Sequence, residues 1–304
     1  MGVGVMFPGQ GSQAARMGEP WRDHDAWQVV DQAEKVLDRP LAHLLLDDDP
    51  EVHAATADAQ LAVLLVSLVA WDAVRSALPA PRAVAGHSLG QVTALVASGA
   101  LAFDDGVQLA AHRAAVTQRA AEAHPGKMAA LVGGGIEQAE AACAASAGGC
   151  WVANDNAPGQ VVVAGTPDGV DATVTEAGAI GVRKAIALAV AGAFHTPLMS
   201  QAASDLRAFL EEVDFAPGDA PVVSNGDARP HAGGDHWRAA LADHLVERVR
   251  WRESQQTLVD MGVDVLVEVG PGRTLAGMAK RTVSGVAVVG VSTPADLEAL
   301  DALA

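Results

Sequence analysis

The sequence predicts an α/β protein in which a mainly parallel sheet is covered by helices and a smaller unit is inserted. Short apolar, strand-like segments alternate with helix-like segments from the N-terminus onward, which is the pattern of a parallel sheet. A stretch that is small and largely uncharged interrupts this alternation at residues 127–191. At 304 residues and 50% hydrophobic composition the chain can bury a large core, and disordered, collagen-like and coiled-coil classes are excluded.

Two short buried strands and four helices are predicted before the insertion. The strands cover residues 2–7, ending at Pro8-Gly9, and residues 83–85. Periodicity predicts helices over residues 26–37, 59–76, 91–98 and 104–123. The second of these is so apolar that we expect it deep in the structure. Its longest apolar run, 61–71, is far shorter than the ~20 residues of a membrane span, so we expect a buried helix and not a membrane helix.

The sequence pattern of the insertion predicts elements in the order βαββαβ, which is the split βαβ pattern of a ferredoxin-like unit. Its strands are predicted at 128–132, 151–154, 160–164 and 182–188, and its helices at 136–146 and 167–177. The first pattern then resumes, with helices at 196–213, 236–246 and 251–261, strands at 222–223, 265–269 and 286–291, and a last helix from Pro294. We therefore expect a discontinuous larger domain, 1–126 and 192–304, and an inserted subdomain, 127–191, without a flexible linker.

Charge and cysteine content narrow the function classes. With 20 Lys and Arg against 37 Asp and Glu, the formal net charge is −17, which argues against nonspecific binding to nucleic acid or to an anionic membrane. The two cysteines, Cys143 and Cys150, are too few for a disulfide scaffold, so we expect reduced thiols. Residues 1–13 lack a secretory signal pattern, and a cytoplasmic protein is expected.

The segment Gly86-His87-Ser88-Leu89-Gly90 has the G-x-S-x-G spacing of a nucleophile elbow. It follows a predicted strand and precedes a predicted helix, as an elbow requires. The glycines permit a sharp turn that exposes the Ser88 hydroxyl at the head of the helix, where backbone N–H groups and the helix dipole favour an anion. We interpret Ser88 as a nucleophile, and the alternative is that it only caps the helix.

A serine nucleophile needs a base, and His195 is the candidate. It lies at the junction between the insertion and the next helix, where loops commonly carry catalytic residues, although spacing alone leaves a structural role open. His87 adjoins Ser88, but its side chain is expected to point away. The turn at 7–13 lacks the Lys of a phosphate loop, while its Gln10 could offer a hydrogen bond to an oxyanion.

Together these motifs resemble those of the malonyl-CoA:acyl carrier protein transacylases of fatty acid synthesis and the acyltransferase domains of polyketide synthases. The resemblance covers nearly the whole chain, with FPGQGSQ at 7–13, GHSLG at 86–90, an arginine at 113, NAPGQVVV at 156–163, GAFHTPLM at 192–199, VRW at 249–251 and EVGPG at 268–272. That family has an α/β-hydrolase-like core carrying a ferredoxin-like insertion, which agrees with the predicted elements.

The resemblance implies a ping-pong reaction in which Ser88 takes the malonyl group from malonyl-CoA and His195 later deprotonates the pantetheine thiol of an acyl carrier protein. The backbone N–H groups of Gln10 and Leu89 would form the oxyanion hole. Malonyl-CoA is then the substrate, no separate cofactor or metal is expected, and the protein is expected to act as a monomer.

The resemblance also assigns residues to the acyl group. Arg113 matches the arginine that grips the free malonyl carboxylate, for which a planar guanidinium is suited, and its alternative is a solvated helix arginine. Phe194 matches the residue whose ring crowds an α-methyl branch, and its alternative is core packing. His87 and Asn156 are expected to contact the substrate.

Two positions depart from the family pattern. Gln91 stands where a glutamate usually follows GHSLG, and His244 stands where a glutamine usually supports the catalytic histidine. If that position acts through its backbone carbonyl the change is harmless, and if a side chain is needed a neutral imidazole can accept a hydrogen bond. We expect both residues to lie behind the catalytic pair.

Three other functions stay open. The same motifs suit a discrete polyketide-pathway acyltransferase with another acyl group, an acyl-thioester hydrolase, or a degenerate scaffold. Docking of an acidic carrier protein on a chain of net charge −17 needs a local basic patch. The candidate pairs are Arg119 with Lys127, Arg183 with Lys184, and Lys280 with Arg281.

Overall fold

The computed structural model describes residues 1–146, 148–190 and 192–303, which form two sheets and the helices around them. The strands are β1 Val3–Phe7, β2 Ala83–Gly86, β3 Lys127–Val132, β4 Cys150–Ala157, β5 Gln160–Gly165, β6 Lys184–Ala187, β7 Pro217–Val223, β8 Pro230–Gly233, β9 Val265–Val269 and β10 Ala287–Val291. The helices are α1 Gln28–Leu37, α2 His43–Leu46, α3 Thr56–Val74, α4 Gly90–Ala97, α5 Phe103–Ala123, α6 Ile136–Ala145, α7 Pro167–Ala179, α8 Ser200–Leu210, α9 His236–Asp243, α10 Trp251–Asp260 and α11 Thr274–Thr282.

The larger sheet confirms the predicted α/β class with a parallel sheet. Its six strands run in the order β10-β9-β1-β2-β7-β8, and every neighbouring pair is parallel except β7 with the edge strand β8. Phe7 at the end of β1 is in register with Gly86 at the end of β2. The turn after β1 and the elbow after β2 therefore emerge side by side at one edge of the sheet, which is where open α/β sheets commonly form a site.

The helix α3 lies in the centre of the core, as its composition predicts. Of its 19 residues 14 are buried, and it packs against α5, α1 and α4. It is the one helix of the described residues long and apolar enough to cross a membrane, and 72% of its apolar window is buried inside the protein. Burial of that surface on all sides identifies it as a core helix.

The smaller sheet is built entirely from the inserted stretch. Its strands are antiparallel in the order β4-β5-β3-β6, and α6 and α7 pack on it around an apolar cluster of their own. β4 is joined to the larger unit, because the Asp155 N–H donates to the Val249 carbonyl at 2.9 Å and the Val249 N–H to the Ala153 carbonyl at 2.8 Å. An ion pair between Asp155 and Arg252, at 2.8 Å, strengthens the same junction. Ala191, where we expected the insertion to end, lies outside the described residues.

Several element predictions were wrong. The helix α11 was missed because its first turn is capped by Glu268, seven residues upstream, whose carboxylate accepts from the Leu275 and Ala276 N–H groups at 3.0 and 2.7 Å. The edge strand β8 was missed because it begins with proline and ends with glycine. The helix predicted over 196–213 is shorter, since a 3-10 turn at Pro197–Met199 precedes α8.

Candidate active site

The backbone around Ser88 forms a tight strand–turn–helix elbow. Ser88 has a φ of +53°. This backbone conformation is unfavourable for any residue other than glycine, and it persists only where the surrounding structure enforces it. Gly86 and Gly90 are packed so closely that a Cβ on Gly86 would lie 1.8 Å from the Gly90 carbonyl oxygen. A Cβ on Gly9 would lie 2.3 Å from the His87 carbonyl oxygen, so the turn after β1 rests directly on the elbow.

The structure brings the Ser88 hydroxyl and the His195 ring together across 107 positions of sequence. Ser88 Oγ lies 2.8 Å from His195 Nε2. On the other side of the ring, His195 Nδ1 lies 2.8 Å from the His244 carbonyl oxygen and 3.2 Å from that of Glu247. Carbonyl oxygens only accept, so Nδ1 carries the proton and the Nε2 lone pair faces the serine.

Asn225 supports the elbow, although no sequence motif marks it. Its fully buried amide accepts from the Ser88 N–H at 2.7 Å and donates to the Gly86 carbonyl at 2.8 Å, so it bridges both sides of the turn. Asn225 follows β7, the strand beside β2. The signal was a polar side chain two residues after the predicted strand at 222–223, but only the strand order reveals that this strand lies next to the elbow.

The two departures from the family pattern, Gln91 and His244, contact each other beneath this bridge. Gln91 Oε1 accepts from the Asn225 N–H at 2.7 Å, which fixes its amide so that Nε2 donates to His244 Nδ1 at 3.4 Å. Burial lowers the pKa of His244 well below its usual value, so this ring is neutral. The His244 carbonyl, rather than a ring nitrogen, forms the hydrogen bond with His195, which is the first of the two arrangements considered for this position.

Arg113 reaches the same hydroxyl from α5. Its side chain is 7% exposed, its Nη2 donates to Ser88 Oγ at 3.0 Å, and its Nη1 donates to Gln60 Oε1 on α3. Gln60 is held in turn by Thr117 at 3.0 Å and was not singled out in the sequence. Among the described residues Arg113 forms no ion pair, which leaves a buried cation beside the serine without a protein counter-ion.

A cavity of about 200 Å³ opens over the Ser88 hydroxyl. The half-buried Phe194 ring lines it and packs against both the large core and the cluster under the smaller sheet. His87 and Asn156 also line it, and His87 Nε2 lies 2.8 Å from Asn156 Oδ1. Gln10 lines the cavity, with its side-chain amide 3.5 Å from Thr56 Oγ1.

Two backbone N–H groups face no protein acceptor at this site. Within the described parts of the chain, neither the Gln10 nor the Leu89 N–H donates to a backbone or side-chain oxygen. Gln10 lies in the turn packed on the elbow, and Leu89 immediately precedes α4. Free N–H donors at a helix N-terminus, next to a nucleophile, suit a developing negative charge.

The electrostatics keep the imidazoles uncharged. Burial, followed by the Arg113 charge, lowers the pKa of His195 to about 3, and burial also lowers the pKa of His87. Burial lowers the pKa of Arg113 to about 10, which still leaves it charged at neutral pH. The cavity therefore combines one cation with neutral rings, and an anionic group is the ligand that this charge favours.

An α/β fold with a serine elbow at the mouth of such a cavity indicates an enzyme that works on acyl groups. The family model described as "Acyl transferase domain" matches residues 5–296, so the chain belongs to the acyl transferase domain family. It is 34% identical over 301 residues to the malonyl CoA-acyl carrier protein transacylase of Bacillus subtilis, covering 97% of this chain and 95% of that protein.

Solved structures give the same result. The chain is similar to the malonyl-CoA:acyl carrier protein transacylase of Xanthomonas oryzae, with a TM-score of 0.94, 36% identity, and coverage of 99% of this chain and 98% of that chain. It is also similar to a structure described as a type II polyketide synthase acyl-carrier protein in complex with its malonyl-transacylase, with a TM-score of 0.95, 33% identity and coverage of 99% of both chains.

Proposed function

We propose that this protein moves a malonyl group from malonyl-CoA to the phosphopantetheine thiol of an acyl carrier protein, through a malonyl ester on Ser88. The observation that carries the proposal is the buried Arg113 guanidinium, whose Nη2 lies 3.0 Å from Ser88 Oγ. A short acyl group with a terminal carboxylate supplies the counter-ion, with one end on Ser88 and the other on Arg113. A hydrolase for simple acyl chains has no use for this cation.

The first half-reaction forms the ester. Ser88 Oγ attacks the thioester carbonyl carbon while its proton passes to His195 Nε2, 2.8 Å away. The oxyanion of the tetrahedral intermediate accepts from the Gln10 and Leu89 N–H groups, each worth roughly 10²- to 10³-fold in rate. Collapse breaks the carbon–sulfur bond, and the departing CoA sulfur takes the proton from His195.

The second half-reaction reverses these steps with a new thiol. His195 Nε2 takes the proton of the pantetheine thiol, and the sulfur attacks the ester carbonyl. The same oxyanion donors act again, the carbon–oxygen bond to Ser88 breaks, and the serine recovers its proton from His195. Serine and imidazole carry every proton and bond change, so the mechanism requires no further cofactor.

The malonyl carboxylate also acts on the base. The Arg113 charge is one cause of the low pKa of His195, second to burial. Pairing of the carboxylate with Arg113 offsets that charge and raises the basicity of His195 only while a dicarboxylic acyl group is bound. In this proposal Phe194 limits space beside the acyl α-carbon, while His87 and Asn156 contact the bound acyl group.

In the same proposal the chain folds into two domains and acts as a monomer. Residues 1–126 and 192–304 form an α/β-hydrolase-like catalytic domain, and residues 127–191 form a ferredoxin-like subdomain, supported by its βαββαβ order and its strand order. One chain supplies Ser88, His195 and Arg113, which supports action as a monomer. Cys143 and Cys150 are free thiols, in agreement with a cytoplasmic protein.

In this proposal the acidic carrier protein docks between two basic pairs that flank the cavity, Arg183 with Lys184 and Lys280 with Arg281. Lys184 is exposed on the edge strand β6, after which Leu188 and Val190 line the cavity. Lys280 follows the cavity residue Met278 on α11. Among the described residues Lys184 and Lys280 form no ion pair, whereas the alternatives Arg119 and Lys127 pair with acidic side chains. Steep salt dependence of carrier turnover, abolished by Lys184→Ala with Lys280→Ala, is expected, and a flat response contradicts this docking face.

Initial-rate measurements test the function. With malonyl-CoA varied at several fixed concentrations of holo carrier protein, double-reciprocal plots should be parallel, and malonyl-carrier should form. Ser88→Ala should abolish both half-reactions, while the exposed control Ser284→Ala should leave them unchanged. Release of free malonate in place of malonyl-carrier identifies a thioester hydrolase and contradicts the proposal.

A further inference from the structure

Three side chains that take no part in the acyl site converge beside the edge strand β8. Asp227 lies in the turn between β7 and β8, His231 lies on β8, and His236 is the first residue of α9. His231 Nε2 is 2.9 Å from Asp227 Oδ2, and one ligand atom from each of the three side chains lies within 4.8 Å of the others. The rings of His231 and His236 stack with centroids 3.7 Å apart. None of the three lines the acyl cavity.

We propose that Asp227, His231 and His236 bind one divalent metal ion such as Zn²⁺. Two imidazoles and one carboxylate form a donor set that suits Zn²⁺, Ni²⁺ or Cu²⁺, whereas Mg²⁺ and Ca²⁺ prefer oxygen ligands throughout. Three protein ligands leave the fourth position of a tetrahedral ion to water.

Binding of an ion requires a rearrangement of one side chain. Metal–nitrogen bonds of about 2.0 to 2.1 Å place neighbouring ligand atoms of a tetrahedral zinc site about 3.3 Å apart. The separation between His231 Nε2 and Asp227 Oδ2, at 2.9 Å, is shorter than this and would widen by about 0.4 Å around the ion. The third atom comes from His236, an exposed side chain at the start of a helix, whose ring must turn out of its stack on His231 to face the pair.

The surroundings keep the donors available. Asp227 Oδ1 accepts from the Arg229 N–H at 3.0 Å, which holds the carboxylate in place and leaves Oδ2 toward His231. Trp237 packs edge-on against both rings, with centroids 5.8 and 5.5 Å away. Partial burial, followed by the adjacent His231, lowers the pKa of His236.

The ion would join two segments on which the catalytic pair depends. Asp227 lies two residues after Asn225, whose amide holds the Ser88 elbow. His236 begins α9, and His244, the residue after this helix, offers its carbonyl to His195. A metal that ties the β7–β8 turn to the start of α9 therefore stabilises both supports from outside the cavity.

Binding by untagged, chelator-treated protein tests the site, with Zn²⁺ as the probe. Titration calorimetry and metal analysis after desalting should give one ion per chain, and Zn²⁺ should raise the midpoint of thermal unfolding. His231→Ala, His236→Ala and Asp227→Asn should each weaken binding at least tenfold and remove the thermal shift. His43→Ala and His124→Ala, two exposed histidines elsewhere, should keep both.

The thermal midpoint of each variant in metal-free buffer shows whether it is folded. His236→Ala removes only an exposed side chain, so it should match the parent protein there. Binding that survives in His231→Ala and His236→Ala, or no uptake of Zn²⁺ by the parent protein at 100-fold molar excess, would overturn the proposal.

Discussion

Replacing Arg113 by alanine should remove the preference for malonyl over acetyl groups. In the structure the guanidinium is buried, and one of its nitrogens already lies 3.0 Å from Ser88 Oγ, so a malonyl ester on this oxygen has its carboxylate within reach. Acetyl-CoA lacks the carboxylate. In Arg113→Ala the rate of acetyl loading therefore falls only by what the contact between Arg113 and Ser88 Oγ contributes. The rate of malonyl loading falls by the same factor and, in addition, by what the contact with the carboxylate contributes.

The size of the effect follows from the hydrogen bonds involved. Two hydrogen bonds between a planar guanidinium and a carboxylate, at about 1.5 to 3 kcal/mol each for charged partners, amount to about 3 to 4 kcal/mol when allowance is made for non-additivity. Because the side chain is only 7% exposed, solvent screening reduces this little. The ratio of malonyl to acetyl loading should then fall by roughly 10²- to 10³-fold.

Single-turnover loading of Ser88 from each CoA thioester, followed by intact mass, measures that ratio directly. Arg119→Ala is the matched control, since Arg119 lies on the same helix, is exposed and pairs with Asp205 at 3.3 Å. Arg113→Lys should recover only part of the preference, because a lysine keeps the charge but not the planar fork. Equal losses for malonyl and acetyl groups in Arg113→Ala would refute the assignment of Arg113 to the acyl carboxylate.

Three further outcomes are expected. Because the pKa of His195 in the unliganded enzyme is lowered to about 3, kcat/KM for malonyl loading should stay level from pH 8 to pH 5, whereas a base of pKa 6.5 loses roughly 30-fold. A decline centred near pH 6.5 contradicts this. Asn225→Ala should reduce kcat about tenfold or more with little change in KM. Asn225→Asp keeps the acceptor for the Ser88 N–H and should recover part of the lost kcat. An effect on KM alone contradicts a positioning role. Glu268→Gln should lower the free energy of unfolding by about 1 to 2 kcal/mol, because one acceptor at the start of α11 is lost. Burial raises the pKa of Glu268 to about 7, so its contribution to stability is present below pH 4.5 and is lost as pH rises to 7. Urea unfolding at several pH values should show that the difference in the free energy of unfolding between the parent protein and Glu268→Gln shrinks over that window. A difference that grows contradicts the role of Glu268 as a cap of α11.

The sequence predicts the parts of the site that depend on local backbone. Gly86 and Gly90 make the elbow because each lacks a Cβ where another backbone segment passes, and such a requirement leaves a spacing visible in the sequence. The parallel sheet and its covering helices follow from the alternation of apolar segments. The helix α3 was predicted within a few residues because its composition allows only a buried position.

The parts that depend on which strands become neighbours were not predictable. Asn225 reaches the elbow only because β7 pairs with β2, and Gln60 reaches Arg113 only because α3 packs against α5. The helix α11 follows a glycine-rich turn and takes its cap from Glu268 on β9, so its start carries no local capping signal. Contacts between segments distant in sequence decide all three.

The most direct test of the acyl-serine mechanism is the intact mass of the protein after brief exposure to an equimolar mixture of malonyl-, methylmalonyl- and acetyl-CoA, with Ser88→Ala in parallel. The mechanism predicts a malonyl-sized adduct on the parent protein, little methylmalonyl or acetyl adduct, and no adduct on Ser88→Ala. CoA release without any adduct, or an adduct of the same size on Ser88→Ala, would contradict it.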